Sequence, residues 1–255
     1  MMDKVRLKHI RLLRNKAELS ALPEGKLLIN TINAFSYNNA RKDADFARAL
    51  VGGDVLIPDG MSVVKACQWL GNPHAPTERV AGWDLFIHEM NRLNTLAPLE
   101  TSLHHARRTV LFFGSSDHVL QLMRERASHE YPNLEIHTYS PPYKDEFSEE
   151  DSRTMTAYIN KVNPDLLWIG MTAPKQEKWT FEHWKELDIH CHVGTIGAVF
   201  DFYAGTMRRA PLWWQQHGIE WLYRLIKEPR RMWRRYIIGN AEFILRVIGE
   251  KVNLS

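Results

Sequence analysis

The sequence predicts an α/β fold, a mostly parallel sheet with helices on both faces, followed by a C-terminal helical appendage. Two observations lead to this prediction. Between residues 26 and 200, short apolar runs alternate with amphipathic stretches, and strands that alternate with helices of about 10–15 residues are typical of a parallel sheet. Beyond Pro211 only helical periodicity remains. We therefore divide the chain into a core, residues 1–205, and a basic helical appendage, residues 206–255.

The predicted strands are short apolar runs bounded by turn-forming residues, at residues 26–32, 54–57, 109–113, 134–139, 165–170 and 189–193. Helical periodicity covers residues 37–50, 62–70, 83–96, 117–131, 149–162 and 175–187 of the core, and residues 212–227 and 230–252 of the appendage. In parallel sheets, ligands bind beyond the carboxyl ends of the strands. Residues that directly follow a strand are therefore the functional candidates.

Composition excludes several classes of protein. The 255-residue chain is 44% hydrophobic and 25% charged, which is ordinary for a globular protein. With only Cys67 and Cys191, we expect neither a disulfide framework nor a cysteine cluster for zinc. No uncharged apolar run reaches about 18 residues, so we expect no membrane-spanning helix. The basic N-terminus lacks the apolar segment of a secretory signal, and we expect a cytoplasmic protein.

Positive charge is concentrated in the appendage. The whole chain has a formal net charge of +3, whereas residues 206–255 contain ten Lys or Arg against four Asp or Glu. Four of the nine tryptophans lie there too. Arginine beside tryptophan is typical of a membrane-surface segment, because the rings lie at headgroup depth and guanidinium groups bind lipid phosphates. Alternatively, these helices pack on the core, or on a sister subunit of a homo-oligomer, and expose a basic face to solvent.

A carboxylate directly follows the second predicted strand. Asp59 is flanked by Pro58 and Gly60, and the glycine leaves little backbone obstruction around a general base. Alternatively, Asp59 caps the next helix. Arg79 adds a cation near the same edge of the sheet.

Small polar residues follow other predicted strands. Gly114 and Ser115 lie where a strand turns into a helix, and backbone N–H groups at such a turn can surround a phosphate. Thr31 and Asn33, at the end of the first strand, can hydrogen-bond a base or a sugar. Gln176, in the first turn of the helix after the fifth strand, can contact ligand hydroxyls.

The motifs of several common sites are missing. Neither G-x-G-x-x-G nor G-x-x-x-x-G-K-[ST] occurs. The sequence therefore lacks the main signatures of Rossmann-type NAD binding and of P-loop nucleotide hydrolysis. Asp43-Ala44-Asp45 matches a D-x-D metal motif but falls inside a helical stretch rather than at a strand end. His190 and His192 share one face of a predicted strand but have no third ligand. We therefore expect no metal site.

Together, these segments resemble one family, the WecG/TagA/CpsF glycosyltransferases of bacterial envelope polysaccharide synthesis. The resemblance covers about residues 26–240 in order. The segments that carry it are Thr31-Ile32-Asn33, Pro58-Asp59-Gly60, Glu78-Arg79 with Gly82 and Asp84, Pro174-Lys175-Gln176-Glu177, Gly197–Phe202 with Ala204-Gly205, Arg209-Ala210-Pro211, Gly218–Leu225, Glu228–Arg231 and Arg235-Tyr236.

The resemblance implies a Rossmann-like core and an inverting, metal-independent reaction without a cofactor. A sugar would pass from a UDP-sugar to a polyprenyl-diphosphate-linked sugar. The resemblance also implies an appendage that docks on the membrane and closes the site, which places the protein at the inner face of the bacterial plasma membrane. It implies no nucleic-acid partner. The donor sugar is left open among N-acetylmannosamine-type sugars, glucose and related hexoses.

The resemblance also implies a role for each candidate residue. Asp59 would be the general base, and Arg79 a functional cation near the diphosphate or acceptor. Thr31, Asn33 and Gln176 would line the donor pocket. The arginines expected to bind the lipid diphosphate are Arg224, Arg230, Arg231 and Arg234. Because UDP leaves with growing negative charge, we add the turn at Gly114 and Ser115 as a second candidate for stabilising it.

Two other interpretations stay open at this point. One is a nucleotide-sugar-modifying enzyme, such as an NAD-dependent epimerase or dehydrogenase, which would need a glycine fingerprint after the first strand. The other is a non-enzymatic protein whose Arg- and Trp-rich appendage binds an anionic surface. It would not account for polar residues at several strand ends.

Overall fold

The structure is a computed structural model that describes residues 5–96, 99–101 and 104–252. Its strands are β1 (Leu27–Ile32), β2 (Val55–Pro58), β3 (Leu99–Thr101), β4 (His104–Ala106), β5 (Arg108–Gly114), β6 (Leu134–Tyr139), β7 (Leu166–Gly170) and β8 (His192–Thr195). Its core helices are α1 (Ala34–Ala40), α2 (Ala44–Val51), α3 (Met61–Leu70), α4 (Gly82–Thr95), α5 (Asp117–Glu130), α6 (Glu149–Val162), α7 (Lys175–Glu182) and α8 (Ala198–Ala204). The appendage contains α9 (Leu212–Gln216), α10 (Glu220–Lys227), α11 (Pro229–Trp233) and α12 (Gly239–Val252).

The main sheet is parallel throughout, with the strand order β2-β1-β8-β7-β5-β6. Strands β3 and β4 form a separate antiparallel pair. The register brings the strand ends level, since Ile32 lies beside Pro58 and Gly114 beside Gly170. The α/β prediction is confirmed. The level ends bring the residues that follow each strand to one edge of the sheet.

The sheet is buried on both faces, which explains the continuous apolar runs of its strands. Phe112 and Trp168 belong to the core on one face. Leu111, Leu167 and Ile169 belong to the core on the other face. Every residue of β7 is buried. The two cores hold the strand ends on a rigid scaffold.

Some helices are shorter than the sequence predicts. The predicted helix 37–50 is two helices, because the Asp43 side chain accepts the N–H groups of Asp45 and Phe46 and begins α2 there. The predicted helix 212–227 is interrupted at Gly218, which has a φ of +69°, a left-handed conformation that favours glycine. A π-helical turn at Arg234–Ile238 interrupts the last predicted helix.

The last helix of the appendage packs on the core. A carboxylate oxygen of Glu250 accepts the Tyr37 hydroxyl at 3.0 Å, and the other accepts the Lys8 N–H at 2.8 Å. Phe243 and Val247 are buried beside Tyr37. One apolar face of α12 therefore contacts the core, as the alternative interpretation of the appendage predicted. Other apolar residues of the appendage remain 42–57% exposed, namely Trp233, Ile237, Ile244 and Ile248. The boundary between the domains at residues 205 and 206 stays a prediction.

Gly194 allows β8 to pack against the β7 residue Trp168. An added Cβ at position 194 would overlap the Trp168 ring, so we expect Gly194→Ala to lower the free energy of unfolding by about 1–3 kcal/mol. Gly249, inside α12, has no atom within 4 Å of an added Cβ. Gly249→Ala is therefore the control and is expected to raise the free energy of unfolding by about 0.5–1 kcal/mol. Urea unfolding measures both, and an unchanged midpoint for Gly194→Ala would contradict this account.

Candidate active site

A cavity of about 2030 Å³ opens at the carboxyl edge of the parallel sheet. Residues that follow all six strands of this sheet line it: Asn33, Asp59, Ser115, Ser140, Met171 and Gly197. The appendage helices α10 and α12 also contribute to its walls. The cavity therefore lies where the sequence predicted a site.

One guanidinium group joins the core to the appendage at this cavity. Arg79 Nη2 donates to Asp59 Oδ1 at 3.1 Å, and Arg79 Nη1 donates to Glu220 Oε2 at 3.2 Å. Glu220 is the first residue of α10. Asp59 does not cap α3, whose N-cap is Gly60 and which has no side-chain cap. The alternative role of Asp59 as a helix cap is therefore wrong, and its carboxylate faces the cavity instead.

The surroundings of Asp59 suit a proton acceptor. Burial raises the pKa of the Asp59 carboxyl above its usual value, while the Arg79 guanidinium opposes that shift and the Glu220 carboxylate adds to it. Burial alone would lower the pKa of Arg79, but the two carboxylates reverse this and raise it. Asp59 thus combines basicity greater than that of a solvated aspartate with a partner that fixes its position.

Two more arginines lie against aromatic rings in the same cavity. The Arg209 Cζ lies 4.8 Å from the ring centre of Trp83, and the Arg224 Cζ lies 4.8 Å from that of Phe202. Both arginines line the cavity, and such cation–π contacts fix the planes of the guanidinium groups. The structure therefore places Arg224 in the same cavity as the predicted base, and it adds Arg209.

The turn after β5 has unusual backbone geometry. Gly114 has a φ of +126° and Ser115 a φ of +58°, and a Cβ at Gly114 would overlap the backbone of Gly170. Ser115 lines the cavity, whereas Gly114 does not. Left-handed backbone at a non-glycine residue clusters at functional sites. The predicted phosphate turn is therefore positioned to face a ligand through Ser115.

The predicted donor-binding residues line the cavity, but some of their polar groups are already bonded. Asn33 Oδ1 accepts the N–H groups of Phe35 and Ser36 and caps α1. Thr31 lines the cavity and is only partly exposed.

Gln176 joins two loops of the cavity wall. Its Oε1 accepts the N–H groups of Met171 and Gly197, each at 3.2 Å. Its Nε2 donates to Glu177 Oε1 at 2.8 Å. Burial raises the pKa of Glu177 to about 7, and its Oε2 is buried without a hydrogen-bond partner. Gln176 thus holds the two loops together. The neighbouring Glu177 also lines the cavity, and its Oε2 has no hydrogen-bond partner.

Two of the other predicted arginines lie outside the cavity. Arg230 and Arg234 are exposed and do not line the cavity, and the Arg234 Cζ lies 5.3 Å from the Trp233 ring centre. The side chain of Arg231 is outside the described part of the structure. The lipid-diphosphate role of these three residues stays a prediction.

Arg235 was missed as a site residue. It lines the cavity with its Cζ 4.3 Å from the ring centre of Phe35. Sequence spacing alone could not separate it from Arg234, because both belong to one arginine run. The structure separates the two, because Arg235 lines the cavity and Arg234 does not.

Residues of the two sequence motifs that were considered as metal ligands contact other side chains. Asp43 forms an ion pair with Lys178 at 2.5 Å. His192 of β8 has its Nδ1 3.2 Å from Oε2 of Glu89 in α4, and both side chains are buried. Among the residues that the structure describes, no group of three or more His, Cys, Asp or Glu is arranged to hold a metal ion.

The parallel sheet, the cavity at its carboxyl edge and the Asp59–Arg79 pair are consistent with an α/β group-transfer enzyme. The model of the glycosyl transferase WecG/TagA/CpsF family matches residues 5–255. The chain therefore belongs to this family and is a glycosyltransferase. The predicted resemblance is confirmed, and family membership sets aside both the epimerase or dehydrogenase and the non-enzymatic interpretation.

Three similar curated proteins share the name N-acetylglucosaminyldiphosphoundecaprenol N-acetyl-beta-D-mannosaminyltransferase. The protein of Bacillus subtilis strain 168 is 29% identical over 226 residues, which is 89% of this chain and 80% of the relative. That of Bacillus spizizenii is 28% identical over 78% of this chain and 70% of the relative. That of Staphylococcus aureus strain MW2 is 26% identical over 82% and 75%.

Proposed function

We propose that the protein transfers a hexose from a UDP-sugar to a polyprenyl-diphosphate-linked sugar, with inversion and without a metal ion. The transferred sugar is N-acetylmannosamine, glucose or a related hexose. The observation that carries the proposal is the Asp59–Arg79 pair, which lies in the cavity at the sheet edge. The relatives' names supply the acceptor class, because each names N-acetylglucosaminyldiphosphoundecaprenol.

In the proposed reaction, an Asp59 carboxylate oxygen accepts the proton of the acceptor hydroxyl. The hydroxyl oxygen forms a bond to the anomeric carbon while the bond between that carbon and the UDP oxygen breaks. One displacement inverts the configuration and leaves Asp59 protonated, and solvent then takes the proton. A positioned general base contributes about 10²–10⁴-fold to such a step.

The negative charge that develops on UDP needs stabilisation in the transition state. Arg79 and Arg209 are cavity-lining guanidinium groups within the electrostatic reach of Asp59. The turn at Ser115 presents backbone at the same edge of the sheet. These groups supply positive charge and N–H donors directly, which is the basis for proposing a reaction that needs no divalent cation.

We further propose that the protein associates peripherally with the inner face of the bacterial plasma membrane through its appendage. No helix within the described ranges is both long and apolar enough to cross a membrane. The appendage exposes large apolar side chains beside its arginines, among them Leu212 at 72%, Ile226 at 62% and Trp213 at 56%. Exposed apolar and cationic side chains together are the composition of an interfacial element.

UDP release from a panel of UDP-sugars tests the proposal, with a short polyprenyl-diphosphate-linked N-acetylglucosamine as acceptor. We expect release that depends on the acceptor and persists in EDTA, and a product whose anomeric configuration is opposite to that of the donor. Activity lost in EDTA and restored by Mg²⁺ would contradict metal independence. Acceptor-independent release, or none with any donor, would contradict the transfer reaction.

A further inference from the structure

The cavity continues past the predicted base as an apolar groove between α3 and α12. Its floor is formed by buried side chains, Ala66, Phe243 and Val247. Its walls are half-exposed apolar side chains, Trp69 of α3 and Ile244 and Ile248 of α12. From Asn240 to Ile248 the groove follows α12 for about 12 Å, at 1.5 Å per residue.

We infer that this groove binds the first isoprene units of the acceptor's polyprenyl chain, an inference that rests on the proposed function. The groove and the Asp59 site are parts of one cavity, so a single molecule can occupy both. An apolar chain that covers the half-exposed tryptophan and isoleucine side chains removes them from water, which lowers the free energy of the bound state.

The order of chemical groups along the cavity matches the order along the acceptor. The acceptor has a sugar hydroxyl at one end, a diphosphate next to the sugar, and then an apolar chain. Contacts connect the parts of the cavity in the same order: Arg79 joins Asp59 to Glu220, and Arg224 lies one turn further along α10. Arg224 in turn donates to the Tyr236 hydroxyl at 3.5 Å, next to Arg235 and just before α12 and its groove. With the hydroxyl at the base and the diphosphate at the arginines, the chain enters the groove.

The charges near the groove also fit an apolar chain that is attached to a diphosphate. Of the acidic residues of α12, Glu242 bonds to Lys42 and Arg246, and Glu250 bonds to Tyr37 and Lys8. Neither carboxylate lines the cavity. Among the described residues that α3 and α12 contribute to the lining, the charged one is Lys65, an exposed cation that would attract the diphosphate of the acceptor rather than repel it.

Neighbouring residues of α12 provide a matched test. Ile244 lines the groove and is 55% exposed, whereas Leu245 is 69% exposed and lies outside the cavity. Both substitutions, Ile244→Asn and Leu245→Asn, remove an exposed apolar side chain from the same helical turn. They should therefore affect folding and general membrane affinity alike, but only the first changes the groove.

The experiment measures kcat/KM without detergent or vesicles, using diphosphate-linked N-acetylglucosamine acceptors that carry one or three isoprene units. We expect wild type to prefer the longer acceptor. Ile244→Asn should lower kcat/KM for the longer acceptor about tenfold, the equivalent of one lost apolar side-chain contact, and leave the shorter acceptor unchanged. Leu245→Asn should preserve the preference. Trp69→Ala, on the opposite wall, should repeat the Ile244→Asn result.

The outcomes separate the groove from the proposed function. No transfer to either acceptor by wild type would overturn the proposed acceptor class and the groove with it. Transfer without a preference for the longer acceptor would overturn only the inference that the groove binds isoprene units. The same inference would be overturned if Ile244→Asn and Leu245→Asn changed kcat/KM for the longer acceptor equally. Flotation of the variants with anionic vesicles measures membrane binding separately. If Ile244→Asn weakens flotation but keeps the chain-length preference, the groove residues contact the membrane instead.

Discussion

Asp59→Asn is expected to lower kcat about 10²–10⁴-fold, because the amide cannot accept the proton of the acceptor hydroxyl. The amide is nearly the same size as the carboxylate, and its oxygen can still accept the hydrogen bond from Arg79. UDP-sugar binding should therefore persist. The measurement is UDP release under saturating donor, combined with calorimetric binding of UDP to both proteins.

A second aspartate provides a control for the loss of a carboxylate. Asp54 lies just before β2, at the opposite end of the strand from Asp59, where its Oδ2 accepts the Leu28 N–H at 2.7 Å. Asparagine keeps an oxygen for that bond, so Asp54→Asn should retain wild-type kcat. Comparable turnover in Asp59→Asn and wild type would remove Asp59 from the proposed mechanism.

The pH profile gives an independent signature of the same group. A general base is inactive when protonated, so activity falls as pH drops through its pKa. Because burial raises the pKa of Asp59, the acid limb of kcat/KM should lie above the usual aspartate value of about 3.9. That limb should be missing from the residual activity of Asp59→Asn.

The position of the site was predictable because parallel strands end at one edge. Asn33, Asp59 and Ser115 follow three different strands, and the level register places all three in one cavity. Only the alternation of strands and helices was needed for that conclusion. The exact tilt and length of each helix did not matter, which is why the split of residues 37–50 into two helices left the site prediction unaffected.

The contribution of the appendage could not be predicted in the same way. Glu220 lies 141 residues after Arg79, and no periodicity connects a helix start to a distant guanidinium group. Gln176 shows a different limit. Its motif marks it as a residue of the site, but only the structure reveals that its amide oxygen is used by two backbone N–H groups. A motif therefore shows that a residue belongs to the site. Its hydrogen-bond partners show whether its polar groups are free to bind a ligand or already hold two loops together.

Arg79→Met is expected to lower kcat/KM about 10²–10³-fold, the usual cost of removing one group that stabilises transition-state charge. Arg79 also fixes Asp59 and joins it to the appendage through Glu220. Its loss leaves two carboxylates without their shared cation, which further raises the pKa of Asp59 and shifts the acid limb to higher pH. Steady-state kinetics between pH 5 and about pH 9 with both substrates would measure these effects.

Two conservative variants distinguish this role from a merely structural one. Arg79→Lys keeps the charge but not the planar fork that reaches both carboxylates, so it should recover only part of the lost kcat/KM while restoring the acid limb. Glu220→Gln keeps Arg79 and removes the carboxylate that raises the pKa of Asp59, so its acid limb should move to lower pH. A contrary result would be an Arg79→Met variant that unfolds at a lower temperature but whose folded fraction keeps the wild-type kcat/KM and pH profile. In that case Arg79 holds the appendage in place and takes no part in transfer. The opposite shifts expected for Arg79→Met and Glu220→Gln would show that the guanidinium group and the Glu220 carboxylate adjust, in opposite directions, the pKa that burial raises at Asp59.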